Sequence, residues 1–163
     1  MSKKKKVVKG KDLWEQLDGY KDSLAETVEI KFGEVEGEIT VVYRDINDIR
    51  KIESSFEDKF PEKPEVEFKG LGKIKLPSED YPQFNDHEKA QEWQEKSEPV
   101  RNEKMARMAY EFISNDERPS EDPEEGTEIL QDRLRFMDIV KIVNKGMELT
   151  GLNRQLDEAR KNS

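Results

Sequence analysis

A mixed α+β fold is predicted: an N-terminal β-hairpin, with a second, smaller hairpin behind it, packed on a mainly helical body. Three observations carry the prediction. Residues 27–44 alternate apolar and polar side chains with a period of two, the pattern of half-buried strands. Residues 46–56 and 105–113 place apolar side chains three and four apart, the pattern of a helix face. Residues 128–152 are the densest apolar run in the chain and continue that helical spacing over about seven turns.

The chain opens with six lysines and no acidic residue in its first eleven positions. Like charges repel, so residues 1–11 read as a solvated tail, or as an arm for nucleic acid or an acidic partner. Leu13, Trp14, Leu17, Tyr20 and Leu24 then suit a short amphipathic helix, which Gly19 weakens by roughly 1 kcal/mol. In the hairpin, Val28, Ile30 and Phe32 alternate with Glu29, Lys31 and Gly33, and Ile39, Val41 and Tyr43 with Thr40, Val42 and Arg44. Residues 34–38 lie between and supply a glycine for the turn. A lone hairpin is marginal in water, so its apolar face must pack on something.

Asp45 or Asn47 caps the next helix, whose stripe is Ile46, Ile49, Ile52 and Phe56. The simplest geometry lays it across the hairpin, and Pro61 and Pro64 stop it. Val66 and Phe68 then face Ile74 and Leu76 across Gly70, Leu71 and Gly72, a small hairpin. The Gly-Leu-Gly lacks the further glycines and the following helix of a phosphate loop. Residues 78–85 read as an extended connection, and 86–97 as a polar helix carrying Ala90 and Trp93. Pro99 breaks or kinks it before 100–114 resumes with Met105, Met108, Ala109, Phe112 and Ile113 on one stripe. Residues 115–126 are an acidic linker that lacks the ligand alternation, the central glycine and the closing glutamate of a calcium loop. In the long apolar helix, Thr127 is the candidate N-cap and Gly151 the candidate C′ residue. Residues 153–163 are polar, with Leu156 and Ala159 extending the helix or lying on a free end. The expected organisation is a basic tail with a short helix (1–26), hairpin plus helices (27–114), acidic linker (115–126), C-terminal apolar helix (127–152) and polar tail (153–163).

Composition bounds the function. Only 33% of the 163 residues are hydrophobic and 41% are charged, a lean supply for one core. The net charge of −9 argues against general nucleic-acid binding, leaving only the lysine arm for it. There is no cysteine, hence no disulfide or thiolate metal site. No apolar run approaches the roughly 20 residues a membrane span needs, and the basic start is not followed by a signal-peptide core. His87, the only histidine, has Asp86 and Glu88 beside it in sequence, which on a helix point elsewhere. It reads as an exposed residue without a catalytic constellation, so no catalytic, metal or cofactor-binding residue is expected.

The order of elements carries a resemblance. A hairpin with one apolar face (IKFGEVEGEITVVYRD) runs directly into a capped, isoleucine-striped helix (INDIRKIESSF). Helices of variable length, an acidic Pro/Glu segment and an apolar helix ending in LTGL follow. Over residues 27–60 and 100–152 this resembles the tail assembly chaperones of long-tailed bacterial and archaeal viruses. The resemblance implies a non-enzymatic protein of the host cytoplasm. Such a protein coats the tape measure protein, helps recruit tail tube subunits and leaves before the tail is complete, with self-association a further option. It also implies, in many such viruses, a frameshifted longer form, for which Arg160, Lys161 and Asn162 offer codons of the right kind. A chaperone for a long helix needs apolar grooves with acidic rims. Met105, Met108, Phe112, Phe136, Val140 and Val143 are the candidate lining residues, with burial in the core as the alternative for each. Three other classes compete: a virion structural component such as a head–tail or tail-tube adaptor, an acidic nucleic-acid mimic, and a small enzyme. Interspersed lysines argue against the mimic, and the missing constellation argues against the enzyme.

Overall fold

The structure is a computed structural model that describes Val7 and residues 9–151; most of the lysine arm and the polar tail after Gly151 lie outside the described residues. The fold is α+β, with five α-helices and two separate two-stranded antiparallel sheets among the described residues. Helix α1 (Lys11–Ser23) leads into strands β1 (Ala25–Phe32) and β2 (Val35–Val42). They pair in the register Glu26↔Val41, Val28↔Ile39, Ile30↔Gly37 and Phe32↔Val35. The turn is therefore tighter than the sequence suggested. Gly33 and Glu34 alone make it, and Gly33 takes φ +62°, which a two-residue hairpin turn needs at its first central position. Gly37, read as the turn glycine, lies within β2 instead.

Helix α2 (Ile46–Ser55) starts where the Asp45 carboxylate accepts from the Asn47 N–H at 2.8 Å. Its stripe enters the core through Ile49, Ile52 and the following Phe56, all buried. It does not lie across the hairpin. It packs chiefly on helix α3 (Glu88–Phe112), while helix α5 (Phe136–Thr150) covers both strands. Both helices feed the same main core, α5 through Ile139, Ile142 and Val143 and α2 through Ile49 and Ile52.

Strands β3 (Glu65–Phe68) and β4 (Gly72–Lys75) form the expected small hairpin, with Val66 opposite Ile74. It builds a satellite core of Ile74, Leu76 and Ala90, flanked by Val66, Phe68 and Phe84. The Phe68 and Phe84 rings stack at 4.0 Å between centroids. The connection after it holds a 3-10 turn, Pro82–Phe84, rather than extended chain.

Pro99 does not divide α3. Side chains bond two carbonyls upstream of it, Ser97 Oγ donating to Trp93 O at 2.7 Å and Arg101 to Gln94 O at 3.0 Å. The satellite core holds one half of the helix at Ala90, and the main core holds the other from Ala106 to Phe112. Anchored at both ends, the helix outlasts a residue that would break an isolated one.

The acidic segment is shorter than a 115–126 linker. It makes a 3-10 turn, Asn115–Glu117, and then helix α4 (Pro123–Arg133) begins, with Asp122 as N-cap and Pro123 in the first turn. Thr127 is buried inside α4 and caps nothing; its hydroxyl donates to Pro123 O. The single apolar helix over 128–152 is two helices. Leu134 and Arg135 leave helical geometry, and α5 restarts through a capping box in which the Asp138 carboxylate accepts from the Arg135 N–H. Gly151 does end α5 in the left-handed conformation, at φ +79°.

Candidate partner-binding surface

The six residues expected to line a groove separate. Met108, Phe112 and Val143 belong to the core, at 5%, 0% and 4% exposure, and cannot face a partner in this fold. Met105 and Val140 are half-buried at its margin. Phe136 is 48% exposed. The stripe on α3 meets α4 and α5 and has no free face, and Val143 lies on α5, which packs on both α3 and the hairpin.

Three apolar side chains that the sequence reasoning did not single out for a partner are exposed near Phe136. Phe32, Val35 and Met137 are 59%, 72% and 64% exposed. Phe32 and Val35 are the last cross-strand pair before the hairpin turn. Phe136 and Met137 open α5. Arg135 joins the two sets. Its guanidinium lies 5.5 Å from the Phe32 ring centroid and donates to Lys31 O at 2.6 Å. The same guanidinium holds both Asp138 oxygens, at 3.1 and 3.3 Å. Asp138 is 1% exposed, and the Arg135 hydrogen bond keeps its carboxyl below its ordinary range against the opposing effect of burial. Glu34, Glu36 and Asp132 stand exposed close by in sequence and make the rim mixed in charge. The signal for this surface was in the strands: the hairpin alternation runs to the turn itself, past the start of the helix that covers it.

Farther along α5, Lys145 bridges Glu26 at 3.1 Å and Glu148 at 3.2 Å, which raises its pKa. The helix thus runs antiparallel to β1, with Arg135 at the Lys31 end and Lys145 at the Glu26 end. A second apolar surface lies on α1, which buries no residue: Trp14, Leu17 and Tyr20 are all exposed.

His87 is half-buried rather than exposed. Its Nδ1 accepts from the Lys89 N–H at 3.1 Å and its ring meets the Phe68 ring edge-on, so it caps α3. A cleft of about 600 Å3 between α2, α3 and α4 is lined by Phe56, Lys59, Glu103, Arg107, Glu124 and Glu128 among others. Two of its charges are already matched, Lys59 with Glu103 at 3.4 Å and Arg107 with Glu111 at 3.1 Å. Among the described residues no group of three or more His, Asp or Glu is disposed to hold a metal ion, and no helix is long and apolar enough to cross a membrane. Comparison of the chain with protein-family models, with curated proteins and with solved structures gives no match.

Proposed function

We propose that this protein is a non-enzymatic tail assembly chaperone of a long-tailed virus, acting in the host cytoplasm. It binds the tape measure protein and helps bring tail tube subunits to it. The reading rests on the resemblance over residues 27–60 and 100–152. One observation carries it: Phe32, Val35, Phe136 and Met137 lie exposed on either side of Arg135. Apolar residues grouped at one end of a soluble body, rimmed by charge, suit the apolar seam of a long helix. The arginine adds a donor fork for acidic residues flanking that seam.

Co-expression with the adjacent tape measure gene tests the reading. The partner is expected to stay soluble and to co-purify with this chain. An insoluble partner in its presence would count against the proposal. Purified virions supply the second arm: a chaperone is absent from them, whereas stoichiometric presence would favour a tail-tube or head–tail adaptor.

A further inference from the structure

The outer edge of β1 is an open strand edge, and its shape selects its occupant. A two-residue turn makes Phe32↔Val35 a hydrogen-bonded pair, so the even-numbered residues of β1 bond to β2. The odd-numbered residues turn their N–H and C=O groups outward. On β2 the residues paired with them turn outward too, and there the edge is closed at Thr40. Its carbonyl accepts from Ser114 N–H at 3.0 Å and its N–H donates to the Glu117 carboxylate at 3.1 Å. On β1 the outward groups of Ala25, Thr27 and Glu29 have no hydrogen-bond partner among the described residues. All three residues are exposed.

The opening has two ends. Arg135 closes one by bonding Lys31 O. The other is bounded by the end of α1 at Ser23. Lys31 and Ser23 each stand four positions from Thr27. The free stretch is therefore symmetric about Thr27, and a symmetric opening suits a strand identical to itself.

We infer that two copies of this chain associate through their β1 edges, antiparallel and centred on Thr27, into a four-stranded sheet. This alignment pairs Ala25 with Glu29 of the second copy, and Thr27 with Thr27. Each of the twelve free backbone groups meets one partner. Glu29 falls opposite alanine, never opposite Glu29, whereas an alignment centred two residues later sets the two glutamates against each other. Threonine opposite threonine is a favourable cross-strand pair. Glu26, which would face the apolar Val28 of the other copy, is already matched by its own Lys145. Helix α5 lies over both strands, so the two α5 helices come about two strand spacings apart, roughly 10 Å, the distance at which helices pack. The inference stands apart from the proposed function, since it concerns the opposite end of β1 from Phe32 and needs no viral partner.

The test is sedimentation velocity on the full chain across a dilution series, with Thr27→Pro beside the wild type. Proline removes one outward N–H and leaves the β1–β2 ladder intact, since the Thr27 N–H does not take part in it. The expected result is a wild type approaching twice the 19.1 kDa chain mass at high concentration and a proline variant that stays at one mass. A wild type that remains monomeric throughout, or a folded proline variant that dimerises equally well, overturns the inference. If circular dichroism shows the proline variant unfolded, Thr27→Lys replaces it. Two lysines facing each other on the axis are expected to raise the dissociation constant several-fold, and an unchanged constant overturns the inference. Amide exchange adds a separate readout: Ala25, Thr27 and Glu29 become protected as dimer forms, and continued fast exchange in the dimer overturns it.

Discussion

Arg44 and Arg118 donate to the same oxygen, the carbonyl of Glu111, at 2.8 and 3.0 Å. Glu111 stands in the last turn of α3, where helix carbonyls lack intrahelical partners and cations are favoured. Arg44 lies two residues past β2 and Arg118 follows the 3-10 turn, so one carbonyl ties the hairpin, α3 and the acidic segment together. Burial, and then the neighbouring Arg118 charge, lower the Arg44 pKa. Loss of one arginine relieves that repulsion and leaves the carbonyl with its other donor. Loss of both orphans it. Each single alanine variant is expected to cost about 1 kcal/mol, the net worth of a typical hydrogen bond, and the double variant distinctly more than the sum. Urea denaturation of the four proteins measures this, and additivity would contradict it.

Gly146 lets α5 sit directly against the Phe112 ring of α3. A Cβ built there falls 2.2 Å from Cγ of the Phe112 ring, and Phe112 is fully buried. In an open helix, alanine for glycine stabilises by about 1 kcal/mol. Here the ring cannot retreat, and overpacking of this kind costs about 1–3 kcal/mol. Gly146→Ala is therefore expected to lower stability. Gly19→Ala, in α1 with nothing near its Cβ, is expected to raise helix content instead. A higher urea midpoint for Gly146→Ala would show that the helices are farther apart than described.

The readings that held were those decided by local chemistry. Alternation specified β1 and β2, Asp45 specified the start of α2, and Gly151 the end of α5. Some that failed were local, the turn glycine and the N-cap of α4, and the larger failures were decided by contacts distant in sequence. Pro99 looked like a helix end because the two cores that hold α3 on either side of it are assembled from residues far apart in the chain. The break at Leu134 was hidden because both sides of it are apolar. Its cause is Arg135, whose reach to Lys31 lies across the hairpin, far along the chain. The partner-facing residues were chosen by apolar spacing, which also defines core. Whether Phe112 or Phe136 is covered depends on where α4 and α5 turn, and spacing is silent on that.

Asp138 gives the protein an acid-sensitive joint. The Arg135 hydrogen bond depresses its pKa below the ordinary 3.8, so the folded state holds this carboxylate charged more strongly than the unfolded chain does. Stability from such a group is fully present above the unfolded pKa and is lost as pH falls through the lower, folded one. Asp138→Asn removes the charge pair at every pH. The variant is expected to be less stable than wild type at neutral pH, by about 2 kcal/mol on the usual worth of a hydrogen bond to a charged group. The gap should begin to narrow as pH falls below about 4, where the unfolded chain takes up the proton, and close once pH has passed the lower pKa of the folded carboxyl. Thermal or urea midpoints of both proteins from neutral to acid pH check this. A gap that persists unchanged in acid would mean that packing, not charge, holds the joint.

Partner binding and folding are expected to separate by residue. Phe136 and Met137 are 48% and 64% exposed, so their side chains contribute little to the core. Replacing both with serine is expected to shift stability only slightly, since exposed substitutions usually stay within about 0.5 kcal/mol per site. Phe112→Ala is the opposite case. A fully buried phenylalanine cut to alanine costs about 3–5 kcal/mol, and any loss of binding would then follow from loss of fold. The informative comparison measures both quantities in both variants: urea midpoint, and recovery of soluble tape measure protein on co-expression. The serine pair should keep the midpoint and lose the partner. If it keeps both while Phe32→Ser also binds normally, the surface around Arg135 is not the docking site, and the α1 face with Trp14, Leu17 and Tyr20 becomes the place to substitute next.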